Sequence, residues 1–333
     1  VIGLVVAVAC NAKPPGGAGE PADEPAALLD LGHIKPIQAV WRSGDRILSR
    51  DSSYHWVLWD VPARRAIASG DQTFNDLAIT GGVMIAHQPR SNSIEVRSVA
   101  TGAVLGTIPT VASLYYRVGI AIDGSYVWRA SSAGIEAWSP TARKLFEIAG
   151  DYERASVFAA PGELRVNADP VNIQVVEAIS VPAGVKKQTP FAGRFAGWFD
   201  TGDRFLAAAG STARVYTADG LQIAFADLPA VGDLTGQGDH IWTFDGATLR
   251  IYRATDLTAL QSFALVNEVP SPAGDTIALV GDELDLITLG PTITRSTLST
   301  ITCTAFGGTS SEWALGTVDG FVFDSANALG PPA

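Results

Sequence analysis

Cysteine is almost missing from these 333 residues: Cys10 and Cys303 are the whole supply, and methionine occurs once. A chain so provided has no disulfide framework, so its fold must be held by packing. Histidine is scarce as well. His33, His55, His87 and His240 share no common repeat position, so they are expected to scatter instead of gathering around a metal. Basic residues are outnumbered, 23 Lys+Arg against 34 Asp+Glu, for a net charge of −11. That field repels phosphate backbones and argues against nucleic acid as a partner. Charged residues make up only 17%, below the roughly 25% of ordinary soluble domains. Alternating strands with Ser, Thr and Gly on their outer faces account for this without a membrane span. No apolar run reaches the ~18 residues that a spanning helix needs. Several signatures of chemistry are also missing. There is no G-x-S-x-G elbow, no D-x-[DN]-x-[DN]-G calcium loop, no glycine loop opening a phosphate-binding helix, and no convincing helix at all.

What is present is a repeat. The stretch SGDRILSRDSSYHWVLWDVPARRAIASG, residues 43–70, reads as short strands joined by tight turns. Its turn glycine, Gly44, returns as Gly81, Gly124, Gly162, Gly202, Gly238 and Gly274, with Ser311 in the eighth place. Glycine suits such a turn because it tolerates positive φ. A second column follows at Trp59, Arg97, Trp138, Val176, Tyr216, Tyr252, Ile287 and Phe323. A period of about 38 residues built only of strands and turns means an array of small sheets. Four strands of about five residues plus their connections need ~40 residues, which is one propeller blade.

The expected fold is therefore all-β: a single β-propeller of eight four-stranded blades, with seven as the fallback. The blades are expected at 37–69, 75–108, 113–149, 154–189, 194–228, 230–265, 267–299 and 301–325. The last unit runs out before an outer strand, whereas Ala26-Ala27-Leu28-Leu29-Asp30-Leu31-Gly32 looks like an outer strand lacking a blade. Pairing that N-terminal strand onto the last blade would close the ring and cover two free edges. Most of the eight tryptophans fall on strands and are expected in the core between blades.

The first ten residues, VIGLVVAVAC, are an apolar run ending in cysteine. Ala7-Val8-Ala9-Cys10 resembles the lipobox of bacterial lipoproteins, with alanine where position −3 is more often leucine. The resemblance implies residues 1–9 as part of an export signal, and acyl chains on Cys10. Residues 10–25 then form the acylated cysteine and a Pro-, Gly- and acid-rich tether with no large apolar side chain to pack. The propeller occupies 26–330. Cys303 is expected to be a small buried hydrophobe.

Val57-Leu58-Trp59-Asp60-Val61 resembles a WD40 repeat, although the Gly-His dipeptide of that family is read as missing and Trp-Asp occurs only once. The eighth unit, WALGTVDGFVFDSANALG, is similar to quinoprotein-type repeats. An anchored eight-bladed ring also resembles, in architecture, the propeller lipoproteins of outer-membrane barrel assembly. A quinone enzyme would need a docking tryptophan at every blade, which this chain lacks, so no cofactor is expected. Asp282-Glu283-Asp285 is read as solvated acids at a turn, and Asp239 with Asp245 as a second acid cluster.

The reading that follows is a lipid-anchored, extracytoplasmic, monomeric ring. It meets the membrane through Cys10 and acts as a non-catalytic scaffold for an envelope protein. The alternative is a propeller enzyme, or a glycan or small-ligand binder using the central channel. The expected interaction face is Phe74, Tyr115, Tyr116, Tyr152, Arg154, Phe191 and Arg194, from the loops between blades. Exposed aromatic and Arg side chains of this kind anchor interfaces.

Overall fold

Strand formation follows from alternation. In Ser93–Ser98, Ile94 and Val96 are fully buried while Glu95 and Arg97 are half-buried. The computed structural model describes residues 33, 35–71, 77–88, 93–110, 116–169, 171, 174–229, 233–273, 275–280, 284–299, 303–308, 313–317 and 322–324. Every regular element among them is a β-strand. The strands form antiparallel meanders in chain order, each strand pairing with the next. Seven sheets have four strands and lie at 37–71, 77–109, 116–149, 156–190, 194–227, 233–264 and 269–299. The eighth, at 303–324, has three.

The repeat boundaries read from sequence thus agree with the sheets to within a few residues. Eight four-stranded blades are not what the described residues build. The eighth unit supplies Cys303–Gly308, Trp313–Thr317 and Val322–Asp324 and no fourth strand. The expected latch, 26–32, lies outside the described residues. What meets the eighth sheet is the first strand, Ile37–Ser43. A Cβ added at Gly307 would strike the Val40 carbonyl, and one at Gly316 would strike the Ile37 side chain.

The chain divides into two compact units. One holds the second to sixth sheets, the other the first, seventh and eighth. Inside the larger unit, apolar clusters fill each gap between successive sheets. Trp128, Ile135, Leu164, Val166 and Ile179 lie between the third and fourth. Phe195, Phe205 and Tyr216 lie between the fourth and fifth. Phe199, Leu206, Val215 and Ile241 lie between the fifth and sixth. In the smaller unit, Ile37, Ile47, Trp59, Ala305 and Ala314 join the first sheet to the eighth. Burying side chains of this size stabilises by about 1.5–3 kcal/mol each.

The glycine column is explained by its dihedrals: Gly44, Gly81, Gly124, Gly162, Gly202 and Gly238 have φ of 54°, 54°, 76°, 70°, 68° and 54°. The second column needs one amendment. Ile179, paired with Leu164, takes the fourth place instead of Val176, because the fourth sheet has a longer link between its second and third strands.

At the glycine turns of the larger unit, side chains fasten each sheet to the next. Thr80 Oγ1 donates to Ile122 O at 2.9 Å. Tyr126 OH lies 2.7 Å from Ala160 O. Arg165 donates to Gly202 O, and Arg204 Nη2 donates to Gly238 O at 2.7 Å. Among the described residues no helix is long and apolar enough to cross a membrane.

Candidate functional site

The most chemically suggestive constellation sits in the first sheet. Ser49 lies on the second strand, Asp51 ends it, Trp59 lies on the third, and His33 precedes the first. Ser49 Oγ is 2.8 Å from His33 Nε2, and His33 Nδ1 is 3.2 Å from Asp51 Oδ2. These are the spacings of a nucleophile, a base and an orienting acid.

The remaining partners decide otherwise. Trp59 Nε1 donates to Ser49 Oγ at 2.7 Å, and with His33 Nδ1–H turned to Asp51 the Ser49 hydroxyl donates to His33 Nε2, Val57 O being farther at 3.4 Å. His33 Nδ1–H then donates to Asp51, whose Oδ1 accepts the backbone N–H of Ser53 and of His55 at 2.9 and 3.1 Å. Ser49 and Trp59 are 0% exposed and Asp51 is 1% exposed. No substrate carbonyl reaches an oxygen so enclosed. The arrangement is a fastening: it ties the segment before the first strand to the turn between the second and third. Burial draws the His33 pKa down, against the pull of Asp51. Burial pushes Asp51 up, but the bonds from His33, Ser53 and the His55 backbone outweigh it and leave its pKa lowered.

Sequence reasoning misses this set because it starts the first repeat at residue 37 and reads the Gly-His dipeptide as missing. The signal was there. Gly32-His33 stands ahead of Trp59-Asp60, and this Gly-His dipeptide belongs to the WD40 pattern that Trp59-Asp60 resembles. The expectation that the histidines scatter also fails for one pair, since the His33 and His55 rings approach to 5.7 Å between centroids. His55 Nδ1 in turn meets Asp71 Oδ1 at 2.8 Å. Among the described residues no group of three His, Cys, Asp or Glu side chains is placed to hold a metal.

Other sheets carry charged fastenings instead. Glu136 meets Arg129 at 2.5 Å and Lys144 at 3.0 Å, and accepts from Trp138 Nε1 at 3.2 Å. Glu177 accepts from Lys186, Gln188 and Tyr152 OH, each at 2.8 Å. Burial opposes the Glu177 charge, but these donors outweigh it and lower its pKa. Asp285, expected as a solvated acid, is buried and paired with Arg295. Asp282 and Glu283 lie outside the described residues. The other acid pair does not form a cluster around one point: Asp239 meets Arg204, and Asp245 meets Arg250.

The expected lipidation site and the residues expected on an interaction face separate into four groups. Cys10, Phe74 and Tyr115 lie outside the described residues, as does the side chain of Cys303. Tyr152 and Phe191 turn inward. Each follows an outer strand at the point where the chain crosses to the next sheet, and Leu228 and Leu265 occupy the same place. Their N–H groups bond back to Ser131 O, Gln174 O, Ser211 O and Ala247 O, and Tyr152, Phe191 and Leu228 fill the gap to the next sheet. Tyr116 is half-buried against the cluster between the second and third sheets. Arg154 and Arg194 are exposed, and so is Arg117 beside Tyr116.

A separate open groove of about 680 Å³ lies at the rim between the fifth and sixth sheets. It is lined by Asp227, Leu228, Arg250, Tyr252, Leu257 and Gln261, among others. It opens away from the inner strands.

Consecutive antiparallel four-stranded meanders, packed face to face around their first strands, define a β-propeller. Comparison with solved structures bears out that fold. The chain is similar to a computationally designed protein, Ika8, at 13% identity and a TM-score of 0.62, over 88% of this chain and 96% of that one. It is similar to BamB from Moraxella catarrhalis at 14% identity and a TM-score of 0.56, over 89% and 98%. It is also similar to Kluyveromyces lactis Hsv2 at 12% identity and a TM-score of 0.54, over 80% and 98%. No protein-family profile and no curated protein sequence matches it. At these identities the likeness concerns the fold alone.

Proposed function

We propose that this chain is a membrane-anchored, extracytoplasmic β-propeller lipoprotein acting as a non-catalytic scaffold for a protein partner in the bacterial envelope. The observation that carries the scaffold reading is the sealing of the triad-like set found among the described residues. Ser49, His33 and Asp51 satisfy each other beneath the surface, whereas Arg117, Arg154 and Arg194 stand exposed on neighbouring sheets. The anchoring part rests on Ala7-Val8-Ala9-Cys10 and the tether behind it. One short acyl chain gives only marginal membrane binding at about 0.8 kcal/mol per buried CH₂, so two or more are expected on Cys10.

The test is metabolic labelling with an alkyne fatty acid in a bacterial host, the protein being expressed behind an intact export signal. Label and membrane association are expected in the parent protein and absent from Cys10→Ser. An unlabelled parent protein in the soluble fraction would defeat the anchoring. Affinity capture of detergent-solubilised protein tests the scaffold. Recovery of no partner above an unrelated membrane-anchored control protein would count against it.

A further inference from the structure

The larger unit carries a short row of cations that stands out against the chain's net charge of −11. Arg117 is the second residue of the inner strand Tyr116–Ile120, and Arg194 is the first of Arg194–Trp198. Arg154 stands two residues ahead of the inner strand Ser156–Ala160. All three therefore occupy the same end of the inner strands of three consecutive sheets, and all three are exposed. Neighbouring inner strands are in direct contact. Ile122 N donates to Ala159 O at 3.0 Å, Arg117 Nη1 donates to Ala155 O at 3.1 Å, and Ser156–Ala160 packs beside Arg194–Trp198. The row ends where Asp233, also exposed, opens the sixth sheet's inner strand. Asp151 and Glu153 lie within it, and the Asp151 carboxylate accepts the Glu153 N–H at 3.1 Å.

We infer that this row binds an extended, acidic segment of a partner protein, its carboxylates meeting Arg154 and Arg194 in succession with Arg117 beside them. This rests on the scaffold reading and adds the partner's chemistry to it. The three arginines belong to three consecutive sheets, and Arg117 Nη1 reaches Ala155 O beside Arg154, so the cations follow one another from sheet to sheet. A segment that carries several carboxylates can meet cations borne on successive sheets one after another, which a single phosphate cannot do with all three. Arg suits the role because its planar fork engages a carboxylate through two parallel bonds. The interleaved Glu153 and the flanking Asp233 disfavour a continuous anionic surface such as a lipid bilayer, and the net charge repels one. Against that repulsion the attraction is short-ranged, so it weakens as salt shortens the ~10 Å screening length at 0.1 M.

The test is fluorescence anisotropy with a labelled synthetic peptide alternating Glu and Ser, titrated with the full chain at low and high salt. Binding that weakens with salt is expected, together with a roughly tenfold loss of affinity, equivalent to about 1.4 kcal/mol, in Arg154→Glu/Arg194→Glu. The neutral pair Arg154→Gln/Arg194→Gln should fall between. Arg143→Glu/Arg253→Glu makes the same change of charge at exposed positions near the turns joining third to fourth strands, and should leave affinity unchanged. Equal loss in that control pair would overturn the inference, because net charge alone would then explain binding. So would saturation by inorganic phosphate or by phosphatidylglycerol vesicles in place of the peptide. If captured partners still bind the Arg154→Glu/Arg194→Glu variant undiminished, the acidic-segment inference falls and the scaffold reading stands.

Discussion

Ser49 shows how much a single hydroxyl can hold when it is buried. It accepts from Trp59 and donates to His33, so its removal strands two polar groups at once. An unsatisfied buried group costs about 1–3 kcal/mol. Ser49→Ala is expected to lower the free energy of unfolding by about 2 kcal/mol, read as a shift in urea midpoint with the slope unchanged. Because Ser49 is enclosed, a fluorophosphonate probe should leave it unmodified in the native protein. Stoichiometric labelling of Ser49 would contradict the structural role given to this network. At this scale the sequence was legible in parts. Trp59-Asp60 stood out, and Gly32-His33 ahead of it was the one local sign that His33, sixteen residues away from Ser49, belongs to the same repeat; the bond between them is a tertiary fact.

Among elements, the tight turn between the first and second strands of each sheet is the feature on which the repeat depends. Gly81 and Gly124 both have positive φ, and their backbones touch across neighbouring sheets, so an added Cβ at either one would collide with main-chain atoms of the other's turn. A left-handed non-glycine residue costs about 1–3 kcal/mol by itself, and a clash with backbone has no flexible side chain to absorb it. Gly124→Ala should therefore destabilise more than Gly44→Ala, where nothing lies within 4 Å of an added Cβ. Thermal unfolding of the two variants side by side checks this, and equal shifts would show that strain, not contact, dominates. The glycine column was readable in sequence because a dihedral requirement is local. The inward turn of Tyr152 and Phe191 was not. Each is followed within a few residues by Arg154 or Arg194, and only the bond from its own N–H back to its sheet separates plug from surface.

For the whole molecule, the lowered pKa values all act in one direction. Burial holds His33 and His240 below the usual 6.5, so the unfolded chain takes up protons first as the pH falls. Their contribution is complete above about pH 6.5 and is lost progressively as the pH drops towards their folded values. Asp51 and Glu177 are lowered by the donors that outweigh their burial, and Asp245 is held at about 2, chiefly by Arg250. These carboxylates add a second loss below the ordinary carboxylate range. Urea midpoints measured from pH 8 downward should therefore stay level, then decline in two stages. His33→Asn should flatten the first stage. An unchanged slope just below pH 6.5 in that variant would remove His33 from the account.

The sequence by itself determined that the chain is a string of small antiparallel sheets of known bounds. Alternation of apolar side chains and a glycine at each turn are requirements that a residue and its near neighbours satisfy alone. Tertiary structure decided that the first strand meets the last sheet, the enclosure of Ser49, and which loop residues plug a gap and which face water. Those outcomes depend on what a neighbouring sheet presents across the gap, and no spacing within one repeat contains that information.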